Sequence, residues 1–251
     1  MAQPLKDREN RYYSPLADLF VPKDKYIMQL DIKQAEVRLA TMLSKSNDLA
    51  SFLASGQDAY MAMAERAYGV ANKETRIKAK RATLASIYEE GPRAFSEKHG
   101  VEYNEAKEIL DQFRASFPQI KIMSNKYMNF AKQHHYINLF TGRKIHFAAD
   151  DDRLYRAFNQ EVQGGIAELM REFMFRTERL YPGHLIGQIH DSLVLEFDLA
   201  DICPAAIEDI KTTLTTELAQ CLPESAYNLT TPRIPLELDI DSFVKKFDET
   251  Y

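Results

Sequence analysis

The sequence predicts an α+β fold. Strand-like runs lie towards both ends of the chain, residues at helical spacing fill its middle, and no internal repeat or Gly/Ser-rich linker interrupts it. The expected body is a sheet with packed helices, divided in sequence by a helical insertion.

Residues 1 to 25, with Pro4, Pro15 and Pro22, read as an irregular entry segment. "YIMQLDI", 26 to 32, has the length and apolar content of a strand and carries Asp31 near its end. Helical patterning follows from about Gln34 to Ser44. Between about 45 and 135, the stretches 58 to 68, 74 to 89, 104 to 115 and 118 to 133 repeat apolar residues at helical spacing. "YINLFTGRKIHF", 136 to 147, reads as a hairpin turning at Gly142. A long helix is expected from about Leu154 to Leu180. Two strands, Leu185 to Ile189 and Leu193 to Phe197, then flank Asp191, a helix covers about 203 to 220, and "IPLELDI" forms a last strand.

The chain has 251 residues, 45% of them hydrophobic, enough for one large domain or two packed ones. No apolar run approaches the roughly 20 residues of a membrane span. "MAQPLKDREN" also lacks the apolar stretch of a secretory signal, so a cytoplasmic protein without a membrane partner is expected. Cys203 and Cys221 have neither CxxC spacing nor a nearby histidine and are expected to be reduced thiols filling the core. A formal charge of −5 argues against an evenly basic nucleic-acid binder but leaves room for a local cationic site.

Two constellations carry chemistry. Asp31 ends one apolar strand and Asp191 interrupts two others. If these strands are neighbours, both carboxylates emerge at one sheet edge, where a pair of acids can hold Mg2+ for phosphoryl transfer. An Asp-Ser pair between strands is by itself ordinary turn chemistry. In "ETRIKAKRATLASIYEEG", 74 to 91, Arg76, Lys80, Leu84 and Tyr88 recur every fourth residue and form one helical stripe. Two cations one turn apart can hold a polyphosphate, and an aromatic ring beyond them can stack on a base. The bland reading of that run is a solvated basic face.

The order of these pieces resembles the family A DNA polymerases, those like bacterial DNA polymerase I. "DIKQAEVRLA" is similar to that family's motif A, "RIKAKRATLASIYEEG" to its motif B and "QIHDSLVLEF" to its motif C. "FPQIKIMSNKYMNFAKQHHYINLFTGRKIHF" and "NQEVQGGIAELM" resemble the segments between B and C, so the likeness spans almost the whole chain. It implies a polymerase right-hand palm, an antiparallel sheet with helices, carrying an inserted helical fingers subdomain and no thumb. Residues 1–44 would be the first part of the palm, 45–148 the fingers and 149–251 the second part of the palm.

The resemblance also implies roles. Asp31 and Asp191 would bind two Mg2+ ions. Arg76 and Lys80 would hold the dNTP triphosphate, with Lys80 protonating the pyrophosphate leaving group. Leu84 lies where the family packs an aromatic on the sugar, Tyr88 beside the templating base, and Glu36 against the sugar 2′ position. Gln163, Asn159 and His190 match positions near the primer terminus. Arg143, Lys144 and Arg38 are looser candidates for primer-template DNA.

Four departures bear on activity, the first being Leu84 in place of motif B's aromatic. Ser192 stands where motif C has a second acid, and Ala85 and Glu89 replace usual glycines, Glu89 adding a negative charge near a phosphate site. The family's thumb and exonuclease precede motif A, whereas Asp31 here follows Met1 closely. A naturally short polypeptide is therefore expected, with a second chain supplying the thumb and the exonuclease if one is present. A non-catalytic DNA-binding or replication accessory protein is the alternative from another class. A single-subunit RNA polymerase comes third, because Glu36 would clash with a ribose hydroxyl. "AADDDR", 148 to 153, reads as a solvated loop, His134-His135 as a helix end, and "MREFMFRTERLY" as a core-facing stripe.

Overall fold

The structure is a computed structural model and describes residues 5–6, 12–13, 25–148, 150–227 and 229–243; most of the expected entry segment lies outside the described residues. In chain order the strands are β1 (Leu5–Lys6), β2 (Tyr12–Tyr13), β3 (Lys25–Ile32), β4 (Tyr136–Asn138), β5 (Lys144–His146), β6 (Leu185–Ile189), β7 (Ser192–Asp198) and β8 (Leu238–Phe243). The helices are α1 (Ala35–Ser44), α2 (Asn47–Ala54), α3 (Ala59–Tyr68), α4 (Lys73–Ile87), α5 (Pro92–His99), α6 (Tyr103–Ser116), α7 (Pro118–His134), α8 (Ala157–Leu180), α9 (Pro204–Gln220) and α10 (Glu224–Tyr227).

These elements form two compact units, one of residues 1–33, 170–221 and 236–251, the other of 34–169 and 222–235. The first unit is built on an antiparallel sheet of order β6-β7-β3-β8. Its central strand β3 buries Tyr26, Ile27, Met28, Leu30 and Ile32, and β7 buries Leu193, Val194, Leu195 and Phe197. Near-continuous burial is what a strand flanked on both sides and covered on both faces requires. The end of α8 adds Met170, Phe173 and Thr177, spaced as one helix face, whereas Phe175 points away and is 68% exposed. In α9, Ile210, Leu214 and Leu218 form the buried stripe.

The second unit is helical apart from the β4-β5 hairpin. Helix α4 begins with a capping box, in which Asn72 and Thr75 bond each other's backbone N–H. Its buried face is small, with Ala79, Ala82 and Ala85, which lets neighbouring helices approach closely. In α8, Gly165 meets the hairpin end: a Cβ there would lie 2.6 Å from Phe140 Cε1 and 2.8 Å from Leu39 Cδ2. One turn earlier, buried Glu161 accepts the Phe140 backbone N–H at 2.8 Å. Burial pushes its carboxyl up to about 7, with the Phe140 N–H opposing that shift.

Several sequence expectations need correction. Helices α2 and α5, eight residues each, were not foreseen, being too short to show a full periodic pattern. The last strand starts at Leu238 rather than Ile234. Pro235 has no N–H for a ladder, and its carbonyl is taken by the Arg38 guanidinium. The cysteines do not fill the core: Cys203 is exposed just before Pro204 starts α9, and Cys221 is half-buried at that helix's end. His134 closes α7 and His135 caps it in the left-handed region, as a helix end should.

Two measurements follow. Gly165→Ala should destabilise the protein by roughly 1–3 kcal/mol in urea unfolding, through overpacking against Leu39 and Phe140. Gly164→Ala, whose added Cβ would sit 3.0 Å from Leu139 Cδ1, should cost less. Because the Glu161 carboxyl titrates higher when folded than its ordinary 4.5, its contribution to stability declines as pH rises from about 4.5 through about 7. Glu161→Gln should therefore gain stability relative to the parent between pH 5 and pH 8, by about 1–3 kcal/mol. A difference independent of pH would contradict the assignment.

Candidate active site

The sheet unit assembles one group of candidate residues. Chain passes from β6 to β7 through a two-residue turn, His190-Asp191, with His190 in the left-handed region at φ 53°. The Gln188 side-chain amide donates to the His190 carbonyl at 3.0 Å and helps hold that turn. The Ile32 N–H donates to the Asp191 carbonyl at 3.1 Å, fastening the turn to the end of β3. Register pairs Asp31 with Ser192, so the two aspartates come from adjoining positions at one end of the sheet. Both are half-buried. The Ser192 hydroxyl donates to Asp31 Oδ1 at 2.8 Å and accepts from Gln29 Nε2 at 3.0 Å.

Two carboxylates beside a hydroxyl are hard oxygen donors, and this set fits Mg2+, which usually takes one or two carboxylates and keeps water or substrate oxygens as its other ligands. Among the described residues, no group of three or more His, Cys, Asp or Glu is arranged to hold a metal. Any cation here would rest on the aspartate pair.

The helical unit holds a second group of candidates. Arg76, Lys80, Leu84 and Tyr88 follow one another along the unburied side of α4, opposite its alanine face. Arg76 Nε donates to Asp58 Oδ2 at 2.5 Å, and Asp58 also caps α3. Lys80 is exposed. At the C-terminal end of the stripe, the Tyr88 hydroxyl donates to Glu36 Oε1 at 2.5 Å and accepts from Gln163 Nε2 at 2.9 Å. Gln163 Nε2 also reaches Glu36 Oε1 at 2.5 Å. Three residues singled out from distant motifs thus form one hydrogen-bonded triangle.

The remaining candidates are more scattered. Asn159 is half-buried, and its Oδ1 is buried without a hydrogen-bond partner. Arg143 pairs with Glu168 at 2.6 Å, and the Lys144 ammonium lies over the Tyr136 ring at 4.3 Å. Arg38 is only 2% exposed and bonds the Pro235 carbonyl, so its charge serves the interior of its own unit. Glu89 adopts φ 54°, a backbone conformation natural to the glycine it replaces. Its carboxylate takes Lys121 Nζ at 2.5 Å, so the added charge is paired with α7.

Sequence reading missed the partners rather than the principals. Gln29 was visible as the polar residue two before Asp31 on the same strand face. Asp239, which the register sets opposite Asp31 on β8, was visible in the alternation of "LELDI". Asp58 gave no signal beyond helix capping.

Comparison with known proteins identifies the family and the fold. The family model described as DNA polymerase family A matches residues 4–243. The thermostable DNA polymerase I of Thermus filiformis is 26% identical over 239 residues, covering 88% of this chain and 27% of that protein. DNA polymerase I of Geobacillus stearothermophilus is 25% identical over 256 residues, covering 94% and 27%. The chain thus spans about a quarter of the length of these curated relatives. The POL domain of Pol1 from M. smegmatis, solved in complex with DNA primer-template and dNTP, superposes with a TM-score of 0.76 at 18% identity, covering 98% of this chain and 44% of that one. That likeness gives the same fold, and the match over nearly all residues means that this chain belongs to DNA polymerase family A.

Proposed function

We propose that this chain carries the nucleotidyl-transfer centre of a DNA-directed DNA polymerase, adding dNTPs to a primer 3′-hydroxyl. The observation that carries the reading is the meeting of Asp31 and Asp191 at one sheet end, fixed by the Ile32–Asp191 backbone bond and the Asp31–Ser192 pairing. In this reading residues 1–44 and 149–251 are palm and 45–148 are fingers. Primer-template DNA and dNTP are the substrates; both are present in the M. smegmatis complex of the same fold.

The aspartates would hold two Mg2+ ions, which when bound supply charge neutralisation at the attacking and leaving oxygens. Arg76 and Lys80 grip the triphosphate, Arg76 exchanging the Asp58 carboxylate for phosphate oxygens. As the 3′-oxygen, its proton released to solvent, bonds the α-phosphorus and the bond from that phosphorus to the pyrophosphate breaks, Lys80 would deliver a proton to the departing pyrophosphate. Glu36, held by Tyr88 and Gln163, fills the space of a ribose 2′-hydroxyl. Leu84 faces the sugar, and Asn159, Gln163 and His190 contact the primer end, with Arg143 and Lys144 on the DNA backbone. The enzyme would work in the cytoplasm. Among the described residues no helix is long and apolar enough to cross a membrane.

Ser192 in place of an acid favours a second reading, a weakly active or inactive DNA-binding relative. Single-nucleotide extension of a labelled primer-template, at low salt with Mg2+ and dNTPs, separates the two. Asp191→Asn should reduce extension by about 100-fold or more. Extension indifferent to Asp191→Asn, or absent even with protein in excess over DNA, would favour the second reading. Glu36→Ala should lower discrimination against ribonucleotides by roughly 10–100-fold in the same assay, with dNTP use retained.

A further inference from the structure

The hydrogen bonds around Ser192 are directional. An ionised Asp31 can only accept, so the Ser192 proton must point to Asp31 Oδ1, 2.8 Å away. The lone pairs of Ser192 Oγ then take a donor, and Gln29 Nε2 lies 3.0 Å away, which also settles which end of the Gln29 amide faces the hydroxyl. Ser192 is 3% exposed, so water does not readily replace either bond. Gln29 and Asp31 are two apart on β3 and share a face, while Ser192 faces them from β7. The relay Gln29→Ser192→Asp31 therefore lies wholly within one sheet.

We propose that Gln29 and Ser192 are positioning residues for the cation site, replacing with two neutral donors the function that a motif C acid would supply by charge. The relay fixes the Asp31 carboxylate plane before a cation arrives, so binding does not have to order that side chain. It also leaves the site with one negative charge fewer than three acids would give. This explains how a chain without the third acid can keep a competent site, and it rests on the proposed role of Asp31 as a cation ligand.

The test is Mn2+ binding to the whole chain without DNA, read from the loss of free Mn2+ signal in electron paramagnetic resonance. Asp31→Asn defines the signal belonging to the site. Ser192→Ala should weaken that binding about 10-fold, in the range typical for the loss of a group that orients a metal ligand. Ser192→Thr keeps the hydroxyl and should stay within about 2-fold of the parent, and Gln29→Leu should fall between. Unchanged melting temperatures would show that the losses are not unfolding. If Asp31→Asn lowers Mn2+ binding but Ser192→Ala and Gln29→Leu bind as the parent does, the relay is wrong and the cation site stands. If Asp31→Asn changes nothing, both fall. Equal losses in Ser192→Ala and Ser192→Thr would also overturn the relay, because the hydroxyl would then not be what matters.

Discussion

The pairing of β3 with β7 is the constraint on which the site depends. Their register sets Asp31 opposite Ser192 and brings the Asp191 carbonyl to the Ile32 N–H. Side chains alternate between faces along a strand, so a slip of one residue would turn Asp31 to the other side of the sheet and separate it from both. What prevents the slip is apolar: Leu30, Leu193 and Leu195 are fully buried, and β3 is held again on its far side by β8. Core packing holds the strands that carry the carboxylates, and the Asp31 carboxylate accepts the Ser192 hydroxyl, itself bonded by Gln29.

The helical unit follows the same division of labour. Along α4, alanines turned inward bring helices close, while the opposite side carries the cations and the tyrosine. Glu36, Tyr88 and Gln163 arrive from three different helices or helix ends, and one hydrogen-bonded triangle fixes all three. Arg76 is held by the cap residue of α3. In the proposed role of Arg76, an acid within the protein keeps its guanidinium oriented and a phosphate has only to compete for it. Glu89 illustrates how a departure from the family pattern can be absorbed, since Lys121 pairs with the carboxylate that replaces a glycine.

Much of this was legible in the sequence, for definite reasons. Long helices such as α4, α7 and α8 show their period over several turns, and β3 and β7 announce themselves as apolar runs. Asp31 and Asp191 stand out because a carboxylate in such a run is costly. Less legible was whatever depends on a partner distant in the chain. Ser192 reads as a lost acid until Gln29 is seen beside it, and Glu89 as a liability until Lys121 is placed. Arg38 looks like a free cation in sequence, yet the structure buries it against a proline carbonyl. Helices α2 and α5 were missed because eight residues give barely two turns of pattern.

The central claim is that Asp31 and Asp191 form one cation site at the end of the sheet. The most direct measurement is a crystal structure of the chain grown with Mn2+, with anomalous difference maps collected at the manganese edge. The account predicts anomalous density within about 2–2.5 Å of carboxylate oxygens from both aspartates. Density bound by one of them alone, or found only elsewhere on the protein, would contradict it.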